Sequence, residues 1–147
     1  MGKSIVILEK LIRLINKINQ ANKVPKDYGT GDMLYHAEIH TIEAIKNHEN
    51  VNASELSNVL GVTNGAITQI ISKLKKKGLV EQYNIVGNKK EVFYQLTDKG
   101  KIADFGHQNH HKESYKNLNQ YIDSLEDDKV IILNEFLEKL IQDWPQK

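Results

Sequence analysis

Histidine is the residue type whose spacing in this sequence first suggests chemistry. Five of the six histidines fall into two groups, His36 and His40 in one and His107, His110 and His111 in the other. On a helix, residues four positions apart lie on one face, so each group can direct two imidazoles at one point. Because imidazole is a common zinc ligand, one hypothesis is a regulatory metal site. The alternative is that these histidines are ordinary solvated polar residues, and the spacing alone leaves both interpretations open.

The histidines lack the signature of a zinc hydrolase. Such a site needs a glutamate directly after the first histidine of a pair, whereas Ala37 follows His36 and Gln108 follows His107. The sequence also has no cysteine, no glycine-rich phosphate loop and no nucleophile elbow. We therefore predict that the protein is not an enzyme, and keep a metal-dependent enzyme as a remote alternative.

A second group of polar residues lies on a predicted helix over residues 62–77, which Thr63 can cap and Gly78 can end. Apolar residues recur three and four positions apart along it, the pattern of one buried face: Ile67, Ile70, Ile71 and Leu74. The remaining positions carry hydrogen-bonding and cationic side chains, which suit base edges and phosphates in a major groove. We predict that six of them contact bases or phosphates: Asn64, Thr68, Gln69, Ser72, Lys73 and Lys76, together with Thr63 at the start.

The elements around this helix predict how it is held. A short helix over residues 53–60 and a turn at Gly61 precede it, which is a helix-turn-helix arrangement, and Ser54 can contact phosphate from the first helix. Residues 79–85 and 91–96 are rich in Val, Tyr, Phe and Leu and predict a β-hairpin. A hairpin in this place makes a winged helix. We expect its tip to carry Lys89 and Lys90, which can contact phosphates or an adjacent minor groove.

Further helices are predicted over residues 4–22, 34–47, 98–118 and 126–144, with a loop over residues 23–32. The predicted fold class is therefore mainly α with a small β-hairpin wing. The first and last helices have broad apolar faces, which can pack together within one subunit or form a two-fold dimer. We favour the dimer because symmetric half-sites are the usual way in which such modules gain specificity.

Composition and charge agree with one DNA-binding domain. The 147 residues are 39% hydrophobic and 27% charged, as in globular proteins. Net charge is only +1, but residues 63–90 contain six lysines and one acid, Glu81, so the positive charge is concentrated on the predicted winged helix. The charged, amphipathic N-terminal stretch lacks the apolar run of a signal peptide or membrane span, and we predict a soluble, cytoplasmic protein without membrane contact.

The stretches SELSNVLGVTNGAITQIISKLKKKGLV and QLTDKGK, and the order of the predicted elements, resemble the MarR family of transcriptional regulators. The resemblance implies a single domain over residues 1–147, with a winged helix-turn-helix core at about 34–97 and dimerisation helices at 1–22 and 98–147. It also implies a homodimer bound to double-stranded DNA, with each recognition helix in a major groove and each wing tip at the minor groove. One departure lies in the wing, where Asn88 and Lys90 stand in place of the family's usual Asp and Arg.

The resemblance suggests two kinds of effector. His40, His107 and His111 match the histidine ligands of a zinc-responsive branch of the family. That branch takes an acidic ligand from the end of its first helix, where this chain has Asn22 and Lys23. The nearest acidic replacements are Asp27 and Glu38, and Gly106 stands where an acidic ligand of a second site is expected. Other relatives respond to small aromatic molecules, and a pocket for one can be lined by Tyr35, His36, Phe105 and Tyr115.

We therefore predict a homodimeric repressor that binds a pseudo-palindromic operator and whose affinity an effector changes. The effector can be an organic molecule, zinc or none, since the sequence does not choose among them. A zinc-sensing repressor is the main alternative, and a winged helix that binds protein instead of DNA is a remote one.

Overall fold

The computed structural model describes residues 2–145, and it forms two compact units. The first comprises the residues up to Gln108 and the second those from Asn109 onward. The predicted domain limits at residues 1 and 147 lie outside the described residues. Eleven elements follow one another along the described chain: α1 Lys3–Ala21, β1 Lys26–Asp27, β2 Met33–Leu34, α2 His36–Asn47, α3 Ala53–Leu60, α4 Asn64–Lys76, β3 Val80–Ile85, β4 Asn88–Leu96, α5 Asp98–Ser114, α6 Lys116–Asp123 and α7 Asp127–Asp143.

The core of the first unit lies beneath the helix-turn-helix. Helix α2 contributes Ile39, Ile42 and Ile45, and α3 contributes Leu56, all of them buried. These side chains pack with the buried face of α4 and with residues at the base of the hairpin, in a cluster that includes Ile67, Ile71, Leu74, Leu79, Val80 and Leu96. This burial fixes the rotation of α4 about its own axis and so determines which of its side chains face solvent.

Two antiparallel pairs of strands occur among the described residues. Strands β3 and β4 form the predicted hairpin, with Val80 opposite Leu96 and Tyr83 opposite Phe93. Strands β1 and β2 form a small ribbon in the segment that the sequence predicts to be a loop, with Lys26 opposite Leu34. The ribbon is stabilised by Leu34, which is buried in the core rather than being the first residue of α2.

The helix boundaries agree with the predictions in most places. Helix α2 begins two residues later than predicted, because Tyr35 is its extended N-cap residue and Glu38 closes a capping box with it. Helix α5 ends at Ser114 instead of near residue 118, and α6 begins after Tyr115. The predicted fold class, mainly α with a β-hairpin wing, is confirmed.

The terminal helices leave their apolar side chains exposed. Helix α1, in the first unit, has no buried residue, and seven of its apolar side chains are 38–53% exposed. In the second unit, α7 likewise has no buried residue. Among residues 2–145, no helix combines the length and apolar character needed to cross a bilayer.

Candidate nucleic-acid interface and histidine cluster

Helix α4 is amphipathic as predicted. Thr63 caps it, since the Thr63 Oγ1 accepts a hydrogen bond of 3.1 Å from the Ala66 backbone N–H. Ile67, Ile71 and Leu74 are buried, and Ile70 is half-buried. The residues predicted to contact DNA are all exposed on the helix or at its start: Thr63, Asn64, Thr68, Gln69, Ser72, Lys73 and Lys76. Ser54 is also exposed, at the start of α3.

The hydrogen bonds within α4 decide what its hydroxyl groups can offer. Thr68 Oγ1 donates to the backbone oxygen of Asn64 at 2.8 Å, so this hydroxyl presents only lone pairs outward. The Thr63 hydroxyl accepts from the backbone as a cap, so its own proton is available for donation. The Gln69 amide carries both a donor and an acceptor, the combination that reads adenine in the major groove.

The lysines of the segment divide into two groups. Lys77 is engaged within the fold and stabilises the packing of α4 on α2. Its Nζ lies 2.7 Å from Glu38 Oε2 and donates to the Met33 carbonyl at 3.1 Å. Lys75 Nζ donates to Gln82 Oε1 at 2.6 Å, which joins α4 to β3. Lys73 and Lys76 are exposed on α4. The lysine-rich helix end therefore contributes fewer side chains to a DNA-facing surface than its sequence suggests.

The hairpin turn differs from the prediction. The turn consists of Val86 and Gly87, with Gly87 at φ +89°, and β4 begins at Asn88. Lys89 and Lys90 are exposed, but they lie on β4 just after the turn rather than in it. The reason is that Ile85 pairs directly with Asn88, which leaves two residues for the connection.

Part of the histidine cluster is assembled in the first unit. The ring centroids of His36 and His40 on α2 are 3.9 Å apart, and those of His40 and His107 are 5.1 Å apart. His107 is 2% exposed and packs edge-on against Tyr28, which lies in the connection between β1 and β2. His111 lies one turn beyond His107 on α5, which is helical through Ser114.

Glu43 is the acidic residue of this cluster, and sequence reasoning missed it. Its Oε2 lies 3.9 Å from His40 Nδ1 and 4.0 Å from His107 Nδ1. The available signal was its position three residues after His40, on the same face of α2. Two imidazoles and a carboxylate are ligands that zinc accepts, so the residues present fit this metal.

The acidic replacements suggested by the sequence are engaged elsewhere. Asp27 Oδ1 accepts hydrogen bonds from the backbone N–H groups of Gly29, Thr30 and Gly31 at 2.8–3.0 Å. These bonds, led by the one from Gly29, hold the pKa of Asp27 below its ordinary value of 3.8. Glu38 is buried against Lys77. Neither carboxylate is therefore placed to complete a site at His40.

Close packing explains why position 106 is a glycine. A Cβ at Gly106 would overlap the carbonyl oxygen of Tyr28, because the ribbon lies directly against α5 there. Burial raises the pKa of the Tyr28 phenol. An acidic side chain at position 106 is incompatible with this packing, so this position cannot supply the ligand expected for a second site.

The four residues suggested for an organic effector are all exposed. Phe105 is 65% exposed, and Tyr35, His36 and Tyr115 are also open to solvent. A groove of about 850 Å³ lies elsewhere in the first unit, among residues that include Lys46, His48, Tyr83, Tyr94 and Asp98, and none of the four residues lines it. The aromatic pocket stays a prediction.

Comparison with known proteins agrees with this architecture. Residues 34–92 match the model of the MarR family. The HTH-type transcriptional regulator PchR of Bacillus subtilis is 31% identical over 102 residues, which are 69% of this chain and 60% of PchR. The match thus spans about three fifths of the length of this relative.

Solved structures extend the likeness to nearly the whole chain. FabT of Streptococcus pneumoniae, in complex with DNA, is 25% identical with a TM-score of 0.72, covering 95% of this chain and 96% of FabT. ZitR of Lactococcus lactis, a zinc-responsive MarR family member, is 16% identical with a TM-score of 0.68, covering 95% of this chain and 99% of ZitR, and shows the fold alone. The winged helix, the family-model match and the likeness to PchR and FabT together show that the chain belongs to the MarR family.

Proposed function

We propose that the chain is a sequence-specific, double-stranded DNA-binding transcriptional regulator that acts as a homodimeric repressor. The observation that carries the proposal is the exposed face of α4. Polar side chains lie on its first turns and the exposed lysines Lys73 and Lys76 on its last turns, and the buried opposite face keeps these side chains directed to solvent. A helix of this kind can enter a major groove with its N-terminal half at the base edges. The relatives support the proposal, since PchR is a transcriptional regulator and FabT was solved with DNA.

In this proposal each residue has a role that its position allows. Thr63, Asn64, Thr68 and Gln69 contact base edges, while Ser54, Ser72, Lys73 and Lys76 contact phosphates. Lys89 and Lys90 add phosphate contacts from β4, where they follow the wing turn. Lysine gives charge without the planar fork of arginine, so phosphate contact is favoured over insertion into the minor groove.

We infer the dimer from the exposed apolar faces of the terminal helices. In α1 these faces include Ile5, Leu8 and Ile12, and in α7 they include Ile132 and Leu137. Exposed apolar surface of this extent is unusual for a monomer and marks a surface that another molecule covers. We propose a second copy of the chain, with residues 1–22 and 98–147 as dimerisation helices around the winged core at 34–97 and the whole chain working as one MarR-like domain.

Selection from a random duplex library tests this function. The purified chain is incubated with 30-base-pair duplexes of random sequence, and bound duplexes are amplified and sequenced over several rounds. We expect an inverted repeat whose half-site centres are about 10 base pairs, one helical turn, or a multiple of this apart. Recovery of sequences without a common motif would show that the chain does not read DNA sequence.

A second candidate function is favoured by the histidine cluster. We propose that zinc is the effector, held by His40, His107 and His111, with the Glu43 carboxylate beside His40 and His107 orienting their imidazoles. The support is the packing of His40 on the buried His107, the carboxylate of Glu43 beside both, and the fold shared with the zinc-responsive ZitR. Zinc would join α2 to α5, and binding would be pH-dependent because the imidazoles must be neutral to coordinate it.

Zinc titration of the purified chain tests this second candidate. We expect one zinc per chain, and a loss of affinity of more than roughly tenfold in His40→Ala and in Glu43→Gln. His110→Ala is the matched control, since His110 is the neighbour of His111 on α5 and is not in the proposed ligand set. Equal zinc affinity in His40→Ala and His110→Ala, or no zinc bound by the parent chain, would remove zinc from the account.

The remaining expectations follow from the regulatory role. A small aromatic effector at Tyr35, His36, Phe105 and Tyr115 is the alternative signal, and the same DNA-binding measurement with a panel of added small phenolic molecules would detect it. The named relatives are regulators, and we propose that this chain likewise has no enzymatic activity. We propose a cytoplasmic location, because a regulator of this kind must reach the DNA.

A further inference from the structure

The N-cap residue of α3 holds a side chain of the wing. Asn52 Oδ1 accepts from the Glu55 backbone N–H at 2.8 Å, and Glu55 Oε2 accepts from the Asn52 backbone N–H at 3.2 Å. This capping box fixes which way the Asn52 amide faces. Its Nδ2 is therefore directed away from α3, and it donates to Glu91 Oε1 at 3.0 Å.

Glu91 uses its second oxygen on the residue that begins β4. Glu91 Oε2 accepts from Asn88 Nδ2 at 3.0 Å, and Asn88 Oδ1 accepts from the Glu91 backbone N–H at 3.3 Å. The backbone oxygen of Glu91 accepts from Asn84 Nδ2 at 2.8 Å. One carboxylate thus connects the helix-turn-helix to the residue directly after the wing turn.

The strand ladder does not provide this connection by itself. Between the pairs Tyr83–Phe93 and Ile85–Asn88, β3 has only Asn84, whereas β4 has residues 89–92. Regular pairing is lost over this stretch, which contains Lys89 and Lys90. The base of the wing is held separately, by the Tyr83 hydroxyl bonded to Asn50 Oδ1 at 2.7 Å and by the bridge between Val51 and Tyr94.

The charge of Glu91 makes its position unexpected for a DNA-binding wing. A carboxylate directly after Lys89 and Lys90 opposes the attraction of these lysines to phosphate. Electrostatics alone therefore predicts that removal of the charge strengthens DNA binding. A structural contribution predicts the opposite, and the two explanations differ in the sign of the effect.

We infer that Glu91 is a positioning residue that fixes the outer part of the wing to the start of α3, and thereby places Lys90 on the phosphates beside the groove that α4 enters. This inference rests on the DNA-binding function proposed above. Asn88, which replaces the family's usual aspartate, acts here as the wing-side partner of Glu91.

The test compares Glu91→Gln with Glu81→Gln in the full chain. Both changes remove one negative charge from the hairpin. Among residues 2–145, however, the recorded side-chain partner of Glu81 is the Gln95 amide, which lies within the hairpin itself. A glutamine at position 91 can accept one of the two amide hydrogen bonds and not both. The duplex probe is the one selected by the parent chain from the random library, and affinity is measured as a function of salt.

The measured quantity is the contribution of Lys90 to the salt dependence of DNA binding. In the parent, Lys90→Ala should lower the slope of log K against log salt by about 0.9 for each bound chain. In the Glu91→Gln background the same change should lower the slope by less than half as much, whereas in the Glu81→Gln background it should keep its full effect. An equal effect of Lys90→Ala in both backgrounds, or tighter binding by Glu91→Gln to the same extent as by Glu81→Gln, would overturn the inference.

A double variant separates positioning from charge. In Asn52→Asp with Glu91→Gln, the new carboxylate at position 52 can still cap α3 and can accept from the new amide at position 91. Net charge equals that of the parent. The bond between positions 52 and 91 is restored with reversed polarity, while the amide oxygen at position 91 accepts from Asn88 Nδ2 as Glu91 Oε2 does in the parent. The double variant should recover the Lys90 contribution, and failure to recover it contradicts the inference.

Hydrogen exchange in the absence of DNA distinguishes failure of this inference from failure of the proposed function. Backbone amides of residues 88–92 should exchange several-fold faster in Glu91→Gln than in the parent or in Glu81→Gln, and the double variant should restore protection. If the parent selects no DNA motif but this exchange pattern holds, the function is wrong and the positioning is right. Unchanged exchange in Glu91→Gln shows that Glu91 does not hold the wing.

Discussion

At the scale of single residues, Gln69 and Lys76 lie two turns apart on the exposed face of α4, and we expect them to contribute differently to DNA binding. Gln69→Ala removes a paired donor and acceptor at the base edges, so discrimination at one base position should fall by about 1–3 kcal/mol. Lys76→Ala removes a phosphate contact, so it should weaken all duplexes alike and lower the salt slope. Competition binding against single-base variants of the selected duplex measures both effects. An unchanged base preference in Gln69→Ala, with binding intact, would show that Gln69 does not read a base.

Gly106 supports a second prediction at this scale. Gly106→Ala forces a methyl group against the Tyr28 carbonyl, and we expect a loss of about 1–3 kcal/mol in the free energy of unfolding, measured in urea. Gly65→Ala is the matched control, because nothing lies within 4 Å of a Cβ there and the new alanine favours the helix by up to about 1 kcal/mol. Equal stability of the two variants would mean that the ribbon does not pack on α5 as described.

Single residues show where sequence reasoning succeeds and where it stops. The apolar spacing of α4 was sufficient to predict its exposed face. Because the helical period is fixed, the apolar residues define the side that faces the core, and the opposite side must face solvent. The partners of Lys77 and Asp27 were not predictable, since Glu38 is 39 positions away from Lys77 and the three donors to Asp27 depend on a local turn. Glu43 was missed because its closeness to His107 depends on how α2 packs against α5.

At the scale of elements, the ribbon of β1 and β2 is the feature that the sequence did not predict. Its strands have two residues each, too few to show an alternating pattern, and it is stabilised by the buried Leu34 and by the turn around Asp27. The helix break at Tyr115 was also missed, because no proline or glycine marks it. Long periodic helices and the hairpin were predictable because their patterns extend over several turns or pairs.

The turn of the ribbon should depend on pH. Hydrogen bonding lowers the pKa of Asp27 in the folded chain, so the ionised carboxylate stabilises the turn above the ordinary value of 3.8, and this stabilisation is lost as the pH falls through the lower folded value. Amide chemical shifts of Gly29 and Gly31 followed by NMR should titrate together below pH 3.8, and Asp27→Asn should abolish this titration. A shared titration above 3.8 would contradict the hydrogen-bonded turn.

At the scale of the whole molecule, the exposed apolar helices predict association. Ile12→Glu in α1 and Ile132→Glu in α7 each place a charge on an apolar helix face. The Ile12 and Ile132 residues are 53% and 62% exposed in the single chain. Each should convert the dimer to a monomer while leaving the helical circular dichroism signal unchanged, because no buried contact within the chain is lost. Light scattering after size exclusion should give twice the 16.8 kDa of one chain for the parent and 16.8 kDa for the variants.

Val86→Glu is the control for this prediction, since the Val86 side chain lies fully exposed at the wing turn. It adds the same charge away from the terminal helices and should leave the dimer intact. A parent chain that is monomeric at micromolar concentration would show that something other than a second copy covers α1 and α7.

The central claim is that two copies of α4 read DNA sequence, and equilibrium competition tests it most directly. A labelled duplex selected by the parent chain is displaced by the same duplex without label or by a shuffled duplex of identical composition, at physiological salt. We predict that the selected duplex competes at least about 10³-fold better than the shuffled one. Equal competition by the two duplexes would contradict the claim, because it would leave only the sequence-independent attraction of lysines to phosphate.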